Sequence, residues 1–143
     1  MEKYKEMILL IAEDDDGHAE LITEGLKNSG VCNEIIRFSN GEETWRFFTG
    51  ESEGIKYDPS KSYLLLLDIN MPVMDGLEVL KRMKSDDEYK KIPVIMLTTT
   101  DDPREVEHCY ELGCSIYITK PVDFKQFTER LNRLGLFVQI VSF

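Results

Sequence analysis

The chain has 143 residues, 42% of them hydrophobic, and its 17 Lys+Arg stand against 27 Asp+Glu for a net charge of −10. That length suits one domain with a core of its own, and the hydrophobic share is ordinary for a globular protein. The acidic surplus argues against a nucleic-acid or anionic-membrane surface, which needs a basic stripe, and no apolar run approaches the roughly 20 residues of a membrane span.

Residues 7–12 form a short apolar run that stops at Glu13-Asp14-Asp15-Asp16. It reads as a first buried strand, and it is too short for the apolar core of a secretion signal. A helix follows over 16–28, with Leu21, Ile22, Gly25 and Leu26 on one face and Gly30 past its end. Residues 34–39, with Ile35, Ile36 and Phe38, read as a second strand. Asn40 then caps a helix whose first turn carries Glu42 and Glu43 and whose body carries Trp45 and Phe48. Residues 50–62 are polar, with two glycines and a proline, and read as a loop.

The segment Tyr63-Leu64-Leu65-Leu66-Leu67-Asp68-Ile69-Asn70-Met71-Pro72 organises the rest. Its apolar run is too short for a core helix and fits a strand buried on both faces of a parallel sheet, ending at one carboxylate. A helix over 76–84 and a charged, exposed stretch over 85–91 come next. Residues 93–98 are another two-faced apolar strand, and Asp102-Pro103 opens a helix that runs to Leu112 and stops at Gly113. Residues 115–119 are the fifth strand, leading to Lys120-Pro121, and Asp123 caps a last helix to about Leu134. Cys32, Cys109 and Cys114 form no CxxC pair, which fits reduced thiols in a cytoplasmic protein.

Five strands alternating with helices imply a doubly wound α/β fold with a parallel sheet and right-handed crossovers. In such a sheet the ends of strands one, three, four and five gather at one edge, which brings Glu13-Asp14, Asp68, Thr98 and Lys120 together. Clustered carboxylates without His or Cys suit a hard cation such as Mg²⁺. An aspartate beside that cation can attack a phosphoryl group and form an acyl phosphate, and the lysine can neutralise the oxygens it acquires. The set reads as a phosphoryl-accepting site. In isolation, Asp15 and Asp16 read as cap and surface charges, Tyr117 and Trp45 as packed aromatics, and His18 and His108 as solvated histidines.

Ile8-Leu9-Leu10-Ile11-Ala12-Glu13-Asp14-Asp15, Leu66-Leu67-Asp68-Ile69-Asn70-Met71-Pro72-Val73-Met74-Asp75-Gly76, Leu97-Thr98 and Thr119-Lys120-Pro121 resemble the receiver domain of two-component response regulators. The resemblance implies a flavodoxin-like fold with strand order 2-1-3-4-5. It implies Asp68 as phosphoacceptor, Asp14 as direct Mg²⁺ ligand, Glu13 acting mainly through water, and the Asn70 carbonyl completing the metal shell. Thr98 would be the switch hydroxyl, Tyr117 the switch aromatic, Lys120 the phosphoryl-binding lysine, and Pro121 would follow it through a cis peptide. The donor would be a sensor histidine kinase. The long loop over 50–62, the Leu-Thr-Thr-Thr segment and the apolar end resemble stand-alone regulators paired with phytochromes.

Residues 1–135 are thus expected to be the receiver, with 136–143 an apolar extension packed on the domain or lying in a dimer interface. Output is expected through protein contacts, with a homodimer formed by the fourth helix, fifth strand and fifth helix. Two other readings remain at this stage. Phosphatases of the haloacid dehalogenase type use a similar Asp, Thr and Lys set, but they carry a second acid two residues after the nucleophile, where this chain has Asn70. A phosphorylation-independent scaffold of the same fold is the other.

Overall fold

Strands β1 (Ile8–Ala12), β2 (Ile35–Phe38), β3 (Tyr63–Asp68), β4 (Val94–Thr98) and β5 (Ile116–Thr119) lie parallel in the order β2-β1-β3-β4-β5. They come from a computed structural model that describes residues 7–99, 102–120, 125, 126 and 129. Every residue of β1, β3 and β4 is buried, because helices cover both faces of the sheet. Side chains alternate across it. Leu10, Leu65, Leu67, Val94, Met96 and Tyr117 enter one core, and Leu9, Leu64, Leu66, Ile95, Leu97 and Ile118 the other.

Helices α1 (Asp16–Asn28), α2 (Gly41–Thr49), α3 (Gly76–Lys84) and α4 (Pro103–Leu112) connect the strands. Each starts at a side-chain cap: Asp15, Asn40, Asp75 and Asp102 accept the backbone N–H of His18, Glu43, Glu78 and Arg104. In α1 the buried residues are Ala19, Ile22 and Leu26, while Leu21 is exposed. The expected face, with Leu21 on it, is therefore rotated: positions 19, 22 and 26 keep the i, i+3, i+7 spacing and position 21 does not.

Four strands begin one residue later than expected, and residues 85–91 contain a 3₁₀ turn, Tyr89–Lys91. The turn brings Tyr89 onto the core, and the Asp86 side chain accepts the backbone N–H of Glu88 and Tyr89. The loop over 50–62 is a loop, but it is pinned. Tyr57 stacks within 5.2–5.8 Å of Phe48, Tyr63 and Tyr89, and its hydroxyl donates to Glu88 at 2.6 Å. The last helix, the Pro121 peptide, the domain limit at 135 and the apolar end lie outside the described residues.

Candidate functional site

Sheet register decides what meets at the carboxyl edge. Ala12 pairs Leu67, Asp68 pairs Leu97 and Thr98 pairs Thr119, so each strand delivers its next residue to the same rim. Glu13, Asp68 and Lys120 continue the alternation of the α1-side core, and Thr98 continues that of the opposite core, where Tyr117 lies. All four rim side chains are buried: Glu13 and Thr98 are 0% exposed, Asp68 4% and Lys120 9%.

The structure brings Glu13, Asp68 and Lys120 into contact. Lys120 Nζ donates to Glu13 Oε1 and sits 3.2 Å from Asp68 Oδ2. Asp14 lies at the exposed mouth, and one oxygen from each of Glu13, Asp14 and Asp68 falls within 4.8 Å of the others. Asn70 reaches Asp68 through its backbone, its N–H 3.4 Å from Asp68 Oδ1. Thr98 touches the set through its carbonyl, which accepts the Lys120 N–H at 2.6 Å. Tyr117 is packed, and its backbone N–H donates to the Tyr110 hydroxyl at 3.2 Å.

Two glycines hold the loop after β3 in place. A Cβ on Gly76 would stand 2.1 Å from the Asp68 carbonyl oxygen, and one on Gly41 would stand 2.0 Å from that of Met74. The loop after β3 is clamped between the strand end and the start of α2. Within it Val73 takes φ 68°, and the Met74 N–H closes on the Pro72 carbonyl at 2.7 Å.

The electrostatics leave a deficit. Burial first, and then the neighbouring Glu13 charge, raise the Asp68 carboxyl to about 6 against the opposing pull of Lys120. Three carboxylates and one ammonium sum to −2, all donors are oxygens, and a hard dication fits that set. Glu13 is additionally anchored by the Asp15 N–H on Oε2 and by Arg37, whose guanidinium donates twice to the Glu13 carbonyl.

The family model for the response regulator receiver domain matches residues 9–132. The chain belongs to that family. It is 33% identical to the response regulator Rcp1 of Synechocystis over 91% of this chain and 87% of Rcp1. The structure of Rcp1 in its Mn²⁺-bound form superposes with TM-score 0.73 at 30% identity, covering 95% of this chain and 96% of that one. A receiver domain from Rhodospirillum rubrum reaches 0.77 at 39% identity, covering 94% of this chain and 95% of that one. The phosphorylated cyanobacterial phytochrome response regulator RcpA reaches 0.75 at 32%, covering 93% and 94%. This receiver therefore shares its fold and strand order with solved response regulators, and its relatives include phytochrome-associated ones. Among the described residues no helix is long and apolar enough to cross a membrane.

One member of the site was missed. His18 reads in sequence as a solvated histidine, yet its Nδ1 lies 3.4 Å from Lys120 Nζ and 3.9 Å from Glu13 Oε2. The signal was available in the cap. Once Asp15 is the N-cap, His18 falls in the first turn, directly over the carboxyl edge.

Proposed function

We propose that Asp68 accepts a phosphoryl group from the phosphohistidine of a sensor histidine kinase and that the resulting aspartyl phosphate switches a protein-binding surface. The observation that carries this is the buried Asp68 carboxylate, 3.2 Å from Lys120 Nζ and within reach of two further carboxylates at an open rim. An Asp68 oxygen attacks phosphorus; a P–O bond forms and the P–N bond to the donor breaks. The electron pair stays on the leaving imidazole, whose other ring nitrogen carries the proton. Glu13, Asp14, Asp68 and the Asn70 carbonyl would hold Mg²⁺, which supplies charge neutralisation of the transferring oxygens. The Mn²⁺-bound form of Rcp1 and the phosphorylated form of RcpA support that chemistry on this fold.

Lys120 is the group that follows the charge. Phosphorylation adds about −1.5 to −2 charges at Asp68, and the ammonium turns from Glu13 to the new oxygens. Thr98 supplies a hydroxyl at the same rim, on the sheet face it shares with Tyr117. A reorientation there passes to α4 and β5, the face through which we propose homodimerisation and target binding together with the following helix. Moving such an element from about 1:99 to 99:1 takes roughly 5.5 kcal/mol, the scale of two or three charge-assisted contacts. The likeness to Rcp1 and RcpA supports a phytochrome-type kinase as donor. Asn70 offers no acid for turning over outside phosphoesters, so the chemistry is self-phosphorylation and its own hydrolysis.

The test is intact mass after incubation with Mg²⁺ and acetyl phosphate. One added phosphoryl group is expected, absent in Asp68→Asn and absent without the metal. An adduct that survives Asp68→Asn would overturn the assignment.

A further inference from the structure

His18 has no task in the chemistry above. Its place is set by the helix start: the Asp15 carboxylate accepts the His18 backbone N–H at 2.9 Å, and the half-exposed imidazole then covers the rim beside Lys120. An ammonium has three N–H donors and accepts nothing, so the imidazole nitrogen facing it presents a lone pair and its proton lies on Nε2. Among the described residues Lys120 Nζ thus has three acceptors: Glu13 Oε1, Asp68 Oδ2 at 3.2 Å and His18 Nδ1 at 3.4 Å.

Two of those acceptors are carboxylates that the phosphoacceptor reading needs elsewhere. Asp68 becomes the nucleophile, and Glu13 turns toward the metal side. The third acceptor is neutral and stands nearer solvent. We infer that His18 is a positioning residue for Lys120: its imidazole keeps the ammonium at the mouth of the pocket while Glu13 and Asp68 release it to the incoming phosphoryl oxygens. A carboxylate at position 18 would hold the ammonium back, because a charged acceptor binds it about twice as strongly. A side chain with no acceptor would let Nζ fall back onto Glu13. The inference rests on Asp68 being the acceptor.

The experiment follows phosphoryl uptake by intact mass, with Mg²⁺ and acetyl phosphate, in the wild type, His18→Ala, His18→Gln and Asp68→Asn, with a urea midpoint for each. Loss of one neutral hydrogen bond predicts uptake about two- to tenfold slower in His18→Ala. In His18→Gln the amide oxygen takes the same hydrogen, and the rate returns to within about twofold of the wild type. Unchanged urea midpoints show that packing is not the cause. If the alanine variant does not fold, His18→Met, of similar reach with only a weak acceptor, replaces it against His18→Gln. Equal slowing in the glutamine and apolar variants overturns the inference, as does a wild-type rate in His18→Ala while Asp68→Asn stays inert. No uptake by the wild type itself removes the acceptor reading and this inference with it.

Discussion

Two regions on either side of α2 are built on opposite principles. Around Phe47 the chain satisfies everything. Its ring lies 5.2 Å from Phe38, 5.3 Å from Phe48 and 5.6 Å from Tyr63, and it is fully buried. The three tyrosines pack their rings on the cluster, Tyr63 buried and Tyr57 and Tyr89 half-buried, and still use their hydroxyls: Tyr57 donates to Glu88, Tyr89 donates to the Phe48 carbonyl, and Tyr63 accepts from the Asp58 N–H. At the carboxyl edge the chain does the reverse. It buries two like charges with one cation, raises a carboxyl above its ordinary range, and holds a β-branched residue at positive φ. Stability resides in the first region, and the second holds its groups in a state that a ligand or a new charge can relieve.

That division can be broken most forcefully at Phe47. Phe47→Ala should lower stability by about 3–5 kcal/mol, read from urea unfolding. Below its melting range the variant should take up phosphate from acetyl phosphate at the wild-type rate. A folded Phe47→Ala protein with lost uptake would show that the aromatic cluster and the edge are one mechanical unit. Gly76 tests the other side. A methyl there would meet the Asp68 carbonyl oxygen at 2.1 Å, against backbone that has nowhere to go. Gly76→Ala should lose about 3 kcal/mol, the upper end of overpacking costs, and lose uptake with it because Asp68 itself is displaced.

The strand ends were legible for a reason these variants expose. A buried parallel strand reads as an unbroken apolar run, and its last residue is marked by the first polar one, so Glu13, Asp68, Thr98 and Lys120 could be placed at one edge without coordinates. Asp75-Gly76 was visible as a turn, but not that its glycine touches Asp68. The contact depends on how the loop folds back, through the Gly76 N–H to the Ile69 carbonyl at 2.8 Å. His18 and Tyr57 were illegible for a related reason. Each acts across a gap that periodicity does not measure: His18 over the edge from a helix cap, and Tyr57 from a polar loop into rings on α2, β3 and the 3₁₀ turn. The face of α1 was misread because Leu21 is apolar, and composition on a helix is a weaker guide than phase.

A smaller effect comes from the charge on Asp68. Asp68 titrates at about 6 in the folded chain, against an ordinary 3.8. The folded state therefore binds this proton more tightly than the unfolded one. Its contribution favours folding at low pH, declines as pH rises between about 4 and 6, and is a fixed penalty above that window. Asp68→Asn removes the penalty. Without divalent metal it should be more stable than the wild type by about 2 kcal/mol near pH 7.5, with no gain near pH 4. Added Mg²⁺ should close the gap from the wild-type side. A gain equal at both pH values would show that Asp68 is not the strained charge.

The smallest effect tests whether all of the edge's strain belongs to its chemistry. Val73 is 75% exposed and takes φ 68°, where a β-branched side chain crowds its own backbone. Its side chain has little packing to lose, and asparagine tolerates that conformation. Val73→Asn should raise stability by about 0.5–1 kcal/mol in urea unfolding and leave phosphoryl uptake unchanged. The expectation follows from where the turn is held: Gly41 fixes the Met74 carbonyl and Gly76 fixes the Asp68 carbonyl, so the backbone between them keeps its path whatever occupies position 73. Slower uptake in a more stable Val73→Asn protein would overturn that. It would mean the turn must leave its strained conformation during phosphorylation, and that the loop, as well as Lys120, moves with the new charge.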